Sequence, residues 1–153
     1  MCGIAGCFGP RRVEEFRVQA CLALMRRRGP DHAACWRGET PTGEQVALLH
    51  SRLSIIDLDE RANQPFLHGR KIVVFNGELY NYVELRQALA ADGARFRTQS
   101  DTEVLVEAID RRGWNMLDRC EGMWAFALYD EAAGALTLCR DRFGEKPLYL
   151  VRD

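Results

Sequence analysis

The sequence predicts an α+β domain of mainly antiparallel sheets with helices on their outer faces, and three observations carry that prediction. Short apolar runs alternate with two or three amphipathic segments. Residues 123–130 and 135–141 flank the turn Glu131-Ala132-Ala133-Gly134, a β-hairpin pattern. No repeat, low-complexity tract or linker interrupts the 153 residues, the usual size of one domain.

Taken in order, residues 2–8 form a small-residue strand closed by Gly9-Pro10. Over 13–27 the spacing predicts a helix that turns Phe16, Ala20, Ala23 and Leu24 to the core and stops at Gly29-Pro30. Residues 33–37, 45–50 and 53–56 read as strands, the first two separated by a turn-rich stretch over 38–43. The β-branched run 71–75 is a strand leading into Asn76-Gly77. Val83, Leu85, Leu89 and Ala90 then mark a helix ending at Gly93. Ser100-Asp101-Thr102-Glu103 is a capping box that starts another, with Val104, Leu105, Ala108 and Ile109 on its apolar side and Gly113 as its stop. After the hairpin, 148–151 begins one more strand.

Composition narrows the function. Lys plus Arg is 21 against 22 for Asp plus Glu, a net charge of −1, without the positive surplus that nucleic acid or an anionic membrane requires. The longest apolar run, 123–129, is far short of the roughly 20 residues a spanning helix needs. The N-terminus lacks the basic region of a secretory signal, so a cytoplasmic protein is expected. Six cysteines, at 2, 7, 21, 35, 120 and 139, include no C-x-x-C pair and read mostly as small buried hydrophobes. His32, His50 and His68 are scattered, and no metal is expected.

Three groups of residues can do chemistry. A cysteine is by default a core hydrophobe, but removal of Met1 makes Cys2 a free N-terminal residue that holds a thiol and an α-amine together. Their ordinary pKa values, about 8.5 and about 7.7–8.0, let the neutral amine take the thiol proton near neutral pH. Asn76-Gly77 is either a hairpin turn or, at a strand end, a pair of donors for an oxyanion. Arg52, Glu78 and Asp101 are each ordinary surface charges alone; together they match a zwitterionic amino acid, Arg52 clamping its carboxylate and the two carboxylates its ammonium.

Seven motifs then follow one another in a recognisable order: Met-Cys-Gly-Ile-Ala-Gly at the start, Arg28-Gly29-Pro30-Asp31, Arg52-Leu53-Ser54-Ile55-Ile56-Asp57, Asn63-Gln64-Pro65, Phe75-Asn76-Gly77-Glu78-Leu79-Tyr80-Asn81, Ser100-Asp101-Thr102-Glu103, and the run from Arg140 to Tyr149. Over essentially the whole chain they resemble the class II glutamine amidotransferase domain, most of all the form found in glutamine-hydrolysing asparagine synthetases. The resemblance implies an N-terminal nucleophile hydrolase fold, a four-layer αββα sandwich. It implies Cys2 as nucleophile, Asn76 and Gly77 as oxyanion hole, Arg52, Glu78 and Asp101 as glutamine-binding residues, and Arg28 and Gly29 as support beside the nucleophile.

The implied half-reaction releases ammonia from glutamine through a glutamyl thioester and needs no cofactor. ATP and magnesium belong to a synthetase domain, which family members carry further along and of which residues 2–153 hold nothing. That makes the expected domain C-terminally incomplete, without its last strands, with an open sheet edge prone to association. A synthetase domain or subunit is the expected partner, and a homodimer is an open alternative. Rival readings are an amidotransferase feeding a sugar phosphate or an antibiotic or cell-wall precursor, and a catalytically silent binding module of the same fold.

Overall fold

Strand β3 (Gln45–Arg52) organises half the molecule, because both of its faces are covered. The chain is seen in a computed structural model that describes residues 2–152; Met1, whose removal the reading of Cys2 requires, lies outside the described residues. Strand period two sends Val46 and Leu48 to one side, where they meet Ile72, Val74, Ala127 and Tyr129 of a second sheet. Ala47 and Leu49 go to the other side and pack with Val18 of helix α1 (Glu15–Met25). Strand β3 pairs antiparallel with both β1 (Gly3–Gly9) and β2 (His32–Glu39), giving the order β1-β3-β2.

The second sheet runs β4-β5-β6-β7, all antiparallel: β4 (Phe66–His68), β5 (Lys71–Leu79), β6 (Gly122–Asp130) and β7 (Ala135–Arg140). Its far face, with Val73, Phe75, Phe126 and Leu128, packs on Leu105, Val106 and Ile109 of helix α3 (Asp101–Arg112). Helix α2 (Tyr82–Ala91) joins through Leu85 and Leu89 against Val104 and Ala108. The layers are therefore α1, three-stranded sheet, four-stranded sheet, α2 with α3: the expected αββα sandwich.

Several local expectations change. Helix α1 buries Val18, with Cys21, Leu22 and Met25 beside it, whereas Phe16 and Leu24 are 68% and 81% exposed. The helix covers a narrow three-stranded sheet, so one slim stripe is enough, and it is not the stripe its bulkiest residues mark. Asn76-Gly77 is no turn; β5 continues straight through it to Leu79. Residues 53–56 form a loop, and so do 148–151, because no neighbouring strand pairs with them. Strand β4 and the 3-10 segment Trp114–Arg119 were not expected.

The capping box at α3 is half as predicted. Ser100 Oγ accepts the Glu103 N–H at 3.2 Å, but the buried Glu103 carboxylate turns to Arg97 N–H and Thr98 N–H, while Ser100 N–H goes to Thr98 Oγ1. Both arrangements satisfy donors that a helix start leaves open, and here the preceding loop is the beneficiary. This fixes the first turn of α3, where Asp101 sits.

Candidate active site

At one end of the seam between the sheets, Cys2, Arg52, Gly77, Glu78 and Asp101 line a single cleft. Strand geometry brings four of them there, and the first turn of α3 brings Asp101. Ile4 and Val46 face the seam, so Cys2 and Arg52, two and six residues away in the same alternation, face it too. Val74 sends Asn76 and Glu78 to the same side from β5.

Around Cys2 the chain is closely tied. The Leu53 N–H donates to Sγ at 3.4 Å, and Sγ donates to the Leu53 carbonyl at 3.7 Å. Burial pushes the thiol pKa up; the Leu53 N–H and the Arg52 charge oppose that without overcoming it. The resting sulfur is thus a protonated thiol, which needs a base before it can attack.

The loop after α1 supports this arrangement. Arg28 Nε donates to the Cys2 carbonyl at 3.1 Å, and the Asp31 N–H donates to the Arg52 carbonyl at 3.0 Å. Gly29 lies flat on the end of β3: a Cβ there would stand 2.2 Å from the Ser51 carbonyl oxygen, so only glycine permits this approach. Arg28 and Gly29, expected beside the nucleophile, thus contact the Cys2 carbonyl and the end of β3.

Backbone alternation in β5 exposes a donor. The Phe75 N–H donates outward to Gln64 Oε1 at 2.6 Å, and the Leu79 N–H outward to Asp101 Oδ2 at 3.1 Å. Tyr80 N–H donates the other way, to Glu121 O. In an antiparallel strand this direction alternates residue by residue, so Gly77, midway between Phe75 and Leu79, turns its N–H into the cleft. A side chain at Gly77 would collide with the Met123 carbonyl oxygen at 2.3 Å. Beside it Asn76 is buried, and its Oδ1 has no hydrogen-bond partner among the described residues. Asn76 does not itself line the cleft wall.

Asp101 and Glu78 make the acidic side. Burial raises the Asp101 pKa to about 6, and the Glu78 charge pushes the same way against the Leu79 and Thr102 N–H groups. Two carboxyls in one cleft are a receptor for a cation.

Arg52 departs from its expected form. The guanidinium is buried, and Nη1 donates to the Asp59 carbonyl at 3.1 Å and to Asn63 Oδ1 at 2.7 Å. Nη2 donates to the carbonyls of Ile56, at 3.3 Å, and Asp57. Those four bonds leave only Nε–H, so a two-point clamp on a carboxylate requires exchange of one of them. Asp57 takes the left-handed φ of 55° and also accepts from Gln99 N–H, so Arg52 and Asp57 together shape the loop over the cleft.

Sequence reasoning assigned no role to Leu53, Gln64 or His50. Gln64 stood inside a motif without one; Leu53 acts through its backbone, which residue type does not reveal. His50, fully buried between the sheets, has Nε2 3.3 Å from the Phe75 carbonyl, and burial lowers its pKa to about 3. All six cysteines are free and half-buried rather than fully buried. Among the described residues no three His, Cys, Asp or Glu side chains group as a metal site, and no helix is long and apolar enough to cross a membrane.

A thiol, an inward N–H and an acidic pair suit attack on a carbonyl compound carrying a cationic amine. The model of one protein family, described as a glutamine amidotransferase domain, matches residues 1–153. The chain belongs to that family. This amidotransferase domain is 39% identical over 158 residues to asparagine synthetase B of Escherichia coli, covering 100% of the chain and 27% of the relative. A putative glutamine-hydrolysing asparagine synthetase of Mycobacterium bovis is 38% identical over 166 residues, covering 99% and 25%. The domain thus spans about a quarter of the length of these relatives. A solved structure of the glutamine phosphoribosylpyrophosphate amidotransferase of Bacillus subtilis superposes with a TM-score of 0.67 at 20% identity, over 90% of this chain and 37% of that one, and so shares the fold.

Proposed function

We propose that this domain hydrolyses glutamine to glutamate and ammonia. The observation that supports it best is the inward Gly77 N–H opposite the Cys2 thiol, with the acidic pair in the same cleft. The α-ammonium of glutamine sits between Glu78 and Asp101. Its carboxylate sits toward Arg52, drawn by the buried charge and Nε–H.

In the processed chain, the α-amine of Cys2 takes the thiol proton as sulfur bonds to the side-chain amide carbon. Negative charge moves to the former carbonyl oxygen, where the Gly77 N–H and the Asn76 amide receive it. As the C–N bond breaks, the α-ammonium returns the proton to the departing nitrogen, giving ammonia and a glutamyl thioester. Water, deprotonated by the same amine, attacks the thioester; glutamate leaves and the thiol is restored. No cofactor takes part.

The ammonia goes on to a synthetase domain that makes asparagine, a reading supported by the relatives' names, glutamine-hydrolysing asparagine synthetases. Incubation of processed chain with glutamine, with ammonia and glutamate assayed, tests the hydrolysis. Equal release of both is expected; their absence from chain shown to begin at Cys2 overturns the proposal.

A further inference from the structure

Phe75, two residues before Gly77, lies where β5 loses its strand neighbour. Strand β4 pairs His68 with Lys71, Leu67 with Ile72 and Phe66 with Val73, and there it ends. Two residues back from Phe66, in the place that would continue the register opposite Phe75, stands Gln64. Its side chain takes over from the missing backbone: Oε1 accepts the Phe75 N–H at 2.6 Å. The other end of the amide, Nε2, donates to Thr102 Oγ1 at 3.2 Å, in the first turn of α3 beside Asp101. Gln64, Phe75 and Thr102 are 6%, 2% and 3% exposed, so each bond is made away from water, where an unmade one is costly.

The result is a strand segment held on both sides of Gly77. Asp101 accepts from Leu79 and Gln64 accepts from Phe75, and Thr102 links Gln64 to the same helix turn that carries Asp101. His50 meets the Phe75 carbonyl from the opposite sheet. We infer that Gln64 is a positioning residue for the oxyanion hole: it fixes the Phe75 peptide, and through it the direction of the Gly77 N–H. This inference rests on the glutaminase reading for its kinetic part and on geometry alone for its structural part.

Loss of the acceptor acts on the transition state, because the oxyanion forms only there, and a shift on the order of 1 Å costs about 10²-fold. For Gln64→Met, similar in size but without an acceptor, kcat is expected to fall about 10- to 100-fold with KM within about 2-fold. The Phe75 amide proton should exchange with solvent at least about tenfold faster while the other β5 amides keep their protection. Thr102→Val should shift both readouts the same way by less, and Thr102→Ser, which keeps the hydroxyl, should restore them.

An unchanged kcat in Gln64→Met, or exchange raised uniformly along β5 rather than at Phe75, overturns the inference. A parent chain that releases no ammonia defeats the glutaminase reading instead; the Phe75 exchange then still decides whether Gln64 holds this strand.

Discussion

The Leu53 amide donates to the Cys2 sulfur at 3.4 Å, joining positions 51 residues apart. The proposed nucleophile is thereby held by the loop that Arg52 gathers, so one element sets both this sulfur and the mouth of the cleft. An electrophilic glutamine analogue is expected to label Cys2 alone, and Cys2→Ala to abolish ammonia release. Peptide mass mapping checks this. Burial pushes the Cys120 thiol up to about 11, so label on Cys120 would move the site.

Asn76→Ala removes one proposed oxyanion donor and is expected to leave the strand intact. Its kcat is expected to drop about 10²- to 10³-fold with KM little changed. Steady-state kinetics separates the two; a rise in KM alone would make Asn76 a substrate contact.

Arg52→Ala has two expected effects, since the side chain holds the loop and is the proposed partner of the glutamine carboxylate. KM for glutamine should rise strongly, and Tm should fall because buried carbonyls lose their donors. A variant with altered Tm and unaltered KM would confine Arg52 to holding the loop.

Asp101 makes the site sensitive to pH. Its folded pKa of about 6 lies above the ordinary 3.8, so the folded state holds the proton more tightly. Its contribution to stability is full below 3.8 and is lost as pH rises through 6. Affinity for an ammonium runs the opposite way, appearing as the carboxyl ionises. KM should therefore fall between about pH 5 and about pH 7, and Asp101→Asn should gain Tm at about pH 8 while losing glutamine binding. His50 adds a contrary slope in stability: with its pKa lowered to about 3 from 6.5, its contribution is whole above 6.5 and is lost as pH falls toward 3. Thermal melts across this range resolve the two.

Gly29→Ala places a methyl group against the Ser51 and Arg52 backbone. Overpacking of this kind costs about 1–3 kcal/mol, so a clear fall in Tm is expected, with kcat reduced through displacement of the end of β3. Calorimetry and kinetics on the same preparation check both.

Much of this was legible in the residues. Helix α3 announces itself through Ser100, a periodic apolar side and Gly113, all local signals. The reactive set could be proposed because cysteine, amide and carboxylate side chains display their chemistry. What stayed hidden was made by backbone or by pairing. The loop gathered by Arg52 is built from carbonyls, which every residue owns. Residues 148–151 have β-forming side chains and no strand to join. Val18 outranks Phe16 in α1 because the shape of the sheet below decides what is buried.

Cys2 leads into one sheet and Arg52 ends a strand of it, Gly77 and Glu78 belong to the other, and apolar side chains with the contact of His50 on the Phe75 carbonyl hold the two leaves together. A sideways slip between the leaves would break no strand ladder, yet it would carry sulfur and receiving amide out of alignment. Glutamine turnover is therefore expected to act as a gauge of interleaf shear, and repacking mutations at Leu48 or Val74 should blunt it well before melting curves register a change.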